Sequence, residues 1–177
     1  MKTNKTSIYK HILKYGVIYG FLWAIKYLTT YLIFNSLSAP KQWNTESIII
    51  ELFLNIGWIT YTIYQFKKNN DGYLKFLDAF KIGFFLGIFS FIYNEIWYLF
   101  YANIINPEYL NSILEKRKEN IMLKNPELSA KEIDQITSAA YTKLKFKTNV
   151  LSVLFLIIYN SIIASIAGAI MHKKKKM

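Results

Sequence analysis

Between Ile82 and Ile105 the chain reads I-G-F-F-L-G-I-F-S-F-I-Y-N-E-I-W-Y-L-F-Y-A-N-I-I, an apolar run with a single charge, Glu95. An α-helix rises about 1.5 Å per residue, so a run of about 20 apolar residues is enough to cross a bilayer. The stretch from Asp78 to Ile105 also carries Gly83, Gly87, Ser90 and Asn94 at helical spacing. A carboxylate at the centre of a membrane helix costs on the order of 2.5–3.5 kcal/mol, so Glu95 calls for a partner.

Three more runs share this character: Tyr15–Phe34, Ser47–Phe66 and Val150–Met171. Hydrophobic residues make up 53% of the chain and charged ones 19%, and the charged residues lie mostly between the runs. A soluble domain carries about 25% charge and does not gather its apolar residues this way. The pattern predicts an all-α membrane protein, a single membrane domain over 1–177. Its four transmembrane helices fall at about 15–35, 47–66, 80–105 and 150–171, with an amphipathic helical insert at 107–148.

Net charge of +11 raises a nucleic-acid reading, which the placement of the charges excludes. Lysines 2, 5, 10 and 14, 67, 68, 75 and 81, and 173–176 cluster at the ends of apolar runs, where cytoplasmic loops keep them. Both termini and the 67–81 loop therefore belong inside. Lys41 and the segment 106–149, with eight Lys/Arg against six Asp/Glu, belong outside. The first run could be taken for a signal peptide ending near Ser36–Ala39. It is longer than the usual 7–15-residue core of a signal, and Lys26 interrupts it, so we read a retained helix.

Local signals fill in the rest. Gly16, Gly20, Trp23, Tyr27 and Thr30 share one face of the first helix, and Ser161, Ser165 and Ala169, like Ala164 and Gly168, make small-residue faces on the last. Lys67-Lys-Asn-Asn-Asp-Gly72 reads as a turn, and Asp78 as a cap for the third helix. In the insert, Pro107-Glu108 opens a helix with Leu110, Ile113, Leu114 and Ile121 on one face. Asn125-Pro126 breaks it. Ser129-Ala-Lys-Glu132 is a capping box for a second helix with Ile133, Ile136, Ala140 and Leu144 on one face. The insert is thus an extracytoplasmic helical hairpin whose second arm can run into the last span.

At about 1.5 Å per residue, Lys26, Asn55, Asn94, Glu95 and Asn160 fall roughly 12–15 Å below the outer ends of their helices. Each span adds a polar group to one layer, the candidate binding site. Lys26 and Glu95, opposite in sign, are expected to pair across the first and third helices. Glu51 lies one turn inside its helix and is expected to reach the interface.

The chain has no cysteine, and its two histidines, His11 and His172, lie at opposite ends. No pair of carboxylates, nucleophile elbow or phosphate loop stands at a recognisable spacing. No catalytic residue, metal ligand or cofactor is expected, and no enzyme. The expected partners are the lipid bilayer and, within it, a second copy or another membrane protein.

The lead-in Phe76-Leu-Asp-Ala-Phe-Lys-Ile-Gly83, the exit Ile105-Asn-Pro-Glu-Tyr-Leu110, the Glu/Lys-rich segment with its Ser-x-x-Glu start and the final span with a lysine tail resemble a bacterial family. That family is domain of unknown function 4199, whose members are taken as four-span inner-membrane proteins without an assigned activity. The resemblance implies architecture and a place in the bacterial cytoplasmic membrane, and no functional residues. Together these readings point to a non-enzymatic structural or interaction component. The alternative is a small transporter or ion-coupled subunit using the intramembrane Lys/Glu pair.

Overall fold

The computed structural model describes residues 7–34 and 45–172, with the side chains of 30–34, 45–48, 144, 145 and 148 left undescribed. The expected outer loop around Pro40, Lys41 and Trp43, the lysines at 2 and 5 and the tail 173–176 lie outside these residues. Among the described residues the chain is helical: α1 (Ile8–Phe34), α2 (Thr45–Lys68), α3 (Phe76–Phe100), a π-helical turn (Tyr101–Ile105), α4 (Tyr109–Lys124) and α5 (Ala130–Met171).

The chain forms two compact units, one of residues 1–94 and 153–177, the other of residues 95–152. The division falls inside α3 and inside α5, which is one uninterrupted helix of 42 residues. Two helical segments, Phe76–Ile105 and Asn149–Met171, are long and apolar enough to cross a membrane. The other two expected spans coincide with α1 and α2, which carry Lys26 and Glu51 within their apolar stretches.

The first unit is a bundle of α1, α2 and the adjoining parts of α3 and α5. Its core holds Tyr19, Trp23, Ile59, Ile63, Ile82 and Leu86. The two GxxxG patterns do different work. A Cβ on Gly83 would meet Ala164 Cβ and stand 2.6 Å from the Asn160 carbonyl, and one on Gly87 would stand 2.7 Å from Ile157 Cα. Here the backbones of α3 and α5 approach directly, as small residues permit. Gly16 and Gly20 instead receive rings from α3. Phe89 and Tyr93, stacked with centroids 6.2 Å apart, occupy the space a Cβ on either glycine would need. Tyr93 also donates to the Gly16 carbonyl at 3.2 Å. The face of Gly83, Gly87, Ser90 and Asn94 is therefore shared out. The glycines meet α5, Ser90 bonds the Leu86 carbonyl of its own helix, and Asn94 meets α1.

The turn after α2 forms as its composition predicts. Asp71 and Gly72 adopt positive φ (54° and 77°), and the Gly72 amide closes on the Lys67 carbonyl at 3.0 Å. Asp78 sits in the first turn of α3, where its charge complements the helix dipole; Lys75, not Asp78, precedes the helix.

In the second unit α4 and α5 form the expected hairpin. The capping box is made: the Ser129 amide and hydroxyl donate to Glu132 Oε2 at 2.9 and 2.6 Å, and the Glu132 amide returns a bond to Ser129 Oγ at 3.4 Å. These bonds hold the exposed Glu132 carboxyl below its ordinary value, the Ser129 hydroxyl contributing most. Ile133 and Thr137 are buried and Ala140 half-buried, but Ile136 is exposed, because the packed stripe follows Ile133, Thr137 and Tyr141 instead. An ion pair between Lys118 and Asp134, 2.5 Å and solvent-exposed, ties α4 to α5.

Candidate functional site

Polar side chains inside the first unit are concentrated where α1 and α2 face each other. Four contacts set the antiparallel register. His11 Nε2 donates to the Thr62 carbonyl at 2.9 Å, and Trp58 Nε1 donates to the Tyr15 carbonyl at 3.3 Å. The Tyr19 hydroxyl donates to Asn55 Oδ1, and Lys26 Nζ meets Glu51 Oε2 at 3.1 Å. As the position on α1 advances, its partner on α2 recedes.

The carboxylate that meets Lys26 is thus Glu51, not the expected Glu95. Lys26 stands eight residues before the end of α1 and Glu51 six after the start of α2, so the two lie about 12 and 9 Å from adjacent helix ends. Glu95 is the first residue of the second unit and is half-buried there. Glu51, read from sequence as a surface group, keeps 27% of its side chain exposed, whereas Lys26 keeps 7%. The Lys26 ammonium also lies 4.7 Å from the ring centroids of both Trp23 and Tyr27, a geometry in which aromatic faces favour a cation.

The other members of the layer are placed as follows. Asn55 is buried and accepts from Tyr19; Asn94 accepts from the Tyr27 hydroxyl at 2.7 Å. Asn160 is fully buried on α5, where its Nδ2 donates to the Leu156 carbonyl at 2.7 Å and its Oδ1 has no partner. Lys26, Asn55, Asn94 and Asn160 all belong to the first unit.

A pocket of about 10 Å³, lined by Tyr19, Trp23, Lys26, Glu51 and Asn55 with Leu22 and Leu54, adjoins the ion pair. It is about the size of one water molecule. The arrangement holds a partly exposed carboxylate against a buried ammonium beside room for one water. It offers neither paired carboxylates nor an activated nucleophile.

At the other end of α1, His11 is buried against Phe66 and Tyr15. A carbonyl can only accept, so the ring carries its proton on Nε2. Burial, more than the nearby Lys14 charge, pulls His11 below its ordinary 6.5, and the Thr62 bond opposes that shift.

Sequence reasoning missed Glu51, Tyr19 and Tyr27 as the partners of Lys26, Asn55 and Asn94. One signal was available: in a hairpin, residues at matching distances from the connection lie level, and Lys26 and Glu51 satisfy this.

No curated protein and no solved structure matches the chain. A family model described as "Protein of unknown function (DUF4199)" matches residues 14–173, nearly the whole chain from α1 to the end of α5. The chain belongs to that family.

Proposed function

We propose that this protein is a four-span integral membrane protein of the bacterial cytoplasmic membrane, with both ends inside, acting as a non-enzymatic structural or interaction component. The carrying observation is the inverted surface of the first unit. Over residues 15–29, 49–66, 76–94 and 153–171, every exposed residue is apolar, glycine or tyrosine, except Thr29. Phe21, Phe53, Leu77 and Ile158 are all more than half exposed, while Lys26, Asn55, Ser90 and Asn160 are buried. In water such a surface would aggregate; in hydrocarbon it costs nothing, and buried polar groups find partners. The inversion extends to α1 and α2, which supports four spans. Lys10, Lys14, Lys67 and Lys68 flank the ends that the α1–α2 register brings together, and Lys75 and Lys81 lie at the start of α3, which supports an inward-facing end.

The second unit carries charge along its exposed helices and is the part suited to meeting other proteins. A photo-crosslinking residue at Leu123, which is 82% exposed, tests this in cell membranes. A discrete protein adduct is expected; lipid adducts alone would refute the interaction role.

The Lys26–Glu51 pair and its water-sized pocket favour a second reading, an ion-coupled subunit. Proton flux into proteoliposomes that disappears with Glu51→Gln and persists with Glu95→Gln would select it.

A further inference from the structure

We infer that α1 and α2 enter the bilayer as a pre-paired hairpin, each helix supplying the countercharge that the other needs, and not as independent spans. This rests on the four-span reading above. Each of the two helices carries an ionisable side chain within its apolar stretch, about 12 and 9 Å from its end. An unpaired charge in hydrocarbon is costly, and a charge-assisted hydrogen bond at 3.1 Å offsets part of that cost in both helices at once, whereas removing one partner strands the other. Three further contacts join the same two helices: Tyr19 to Asn55, His11 to the Thr62 carbonyl and Trp58 to the Tyr15 carbonyl. Lys26, Glu51, Asn55, His11 and Trp58 can therefore find partners within the pair before α3 or α5 arrives, whereas the Tyr27 hydroxyl waits for Asn94 of α3. By contrast α3 and α5 meet through glycine, alanine and backbone, a contact that two already inserted helices can make by sliding together.

The two modes of entry predict opposite signs for the same substitution. If each helix inserts alone, Lys26→Leu or Glu51→Leu makes that helix more apolar and improves insertion. If they insert as a pair, either change strands the other charge and impairs it.

The chain has no cysteine, so a single reporter reads the result in the full-length protein. Ser38→Cys lies between α1 and α2, and Asn69→Cys lies in the turn after α2. In otherwise native protein, a membrane-impermeant maleimide applied to intact cells should label the first and spare the second. Labelling is taken immediately after a short synthesis pulse and normalised to denatured protein, so later degradation does not mask the outcome. Glu51→Leu and Lys26→Leu should each lower Ser38→Cys labelling several-fold, and the double Leu variant should return it to the native level. The exchanged pair, Lys26→Glu with Glu51→Lys, should recover most of it. Unchanged or increased labelling in the single variants overturns paired entry. If Ser38→Cys and Asn69→Cys react alike in the native background, the four-span threading itself fails, a result separable from the first.

Discussion

The two units differ in what their helices expose. In the apolar stretches of the first, the exposed positions are mostly Leu, Ile, Phe and Tyr, and Lys26, Asn55, Ser90 and Asn160 are buried. In the second, the exposed positions of α4 and of α5 up to Lys147 are mostly charged or polar, with Ile133 and Thr137 turned in. The helix α5 takes part in both and changes character along its length without a break. Helix formation is indifferent to solvent because the backbone satisfies itself. What changes is which face needs a neighbour, and hence what kind of contact binds each unit: small residues and buried hydrogen bonds in one, a capping box and an apolar stripe in the other.

The contrast is broken most severely by moving a charge to the outside. Ile158→Lys, on the outer face of the first unit, should cost about 2.5–3.5 kcal/mol of insertion; Ile136→Lys, exposed in the second unit, should change stability by about 0.5 kcal/mol or less. Insertion assays of the two variants settle it, and equal effects would remove the distinction between the units. Next in size is Gly87→Leu. Its side chain would enter the α5 backbone, which cannot yield as a side chain can, so a loss of about 1–3 kcal/mol is expected in detergent unfolding. Gly57→Ala is the control, since a Cβ there meets nothing within 4 Å, and it should be neutral or stabilising. In the second unit Ser129→Ala removes a cap and should cost about 1 kcal/mol, seen as local loss of amide protection at the start of α5.

The smallest effect is one of pH. His11 has its folded-state value below the ordinary 6.5, so the unfolded chain binds the proton more readily. Its contribution is fully present above 6.5 and is lost as pH falls from there through the lowered value. Native stability should decline over that window, and His11→Gln should flatten the decline.

Much of this architecture is written locally. The apolar runs, the Lys67–Gly72 turn, the Ser129–Glu132 box and the two GxxxG faces depend on residues within a few positions of one another, so periodicity exposes them. What GxxxG packs against is not local: Gly83 and Gly87 admit a backbone, Gly16 and Gly20 admit rings, and the four residues look alike in sequence. The partner of Lys26 was hidden for the same reason. Glu51 and Glu95 each offer a carboxylate within an apolar run on a helix that packs against α1, and local sequence does not show which of them meets Lys26. The Tyr19 and Tyr27 hydroxyls were hidden because tyrosine near a membrane end has an ordinary explanation as an interfacial anchor. The contacts of Lys26, Asn55, Asn94 and Asn160 were not legible: Lys26 meets Glu51 and Asn94 meets Tyr27, Asn55 meets Tyr19 about two turns along α1, and Asn160 lies against Gly83, eleven residues before Asn94 on α3.

The π turn at Tyr101–Ile105 has a consequence for chain length. The Asn106 amide reaches back five residues to the Tyr101 carbonyl, at 2.8 Å, so one turn of helix holds one residue more than its neighbours. A π turn is an α-helix with a single insertion absorbed in place. Residues 101–105 are therefore where this chain can lose one residue and end the helix in an ordinary α-turn, with the faces of Phe76–Phe100 still aimed as they are. A deletion one turn earlier would rotate Tyr98, and its 3.2 Å hydroxyl contact with Tyr141, out of phase by about 100°.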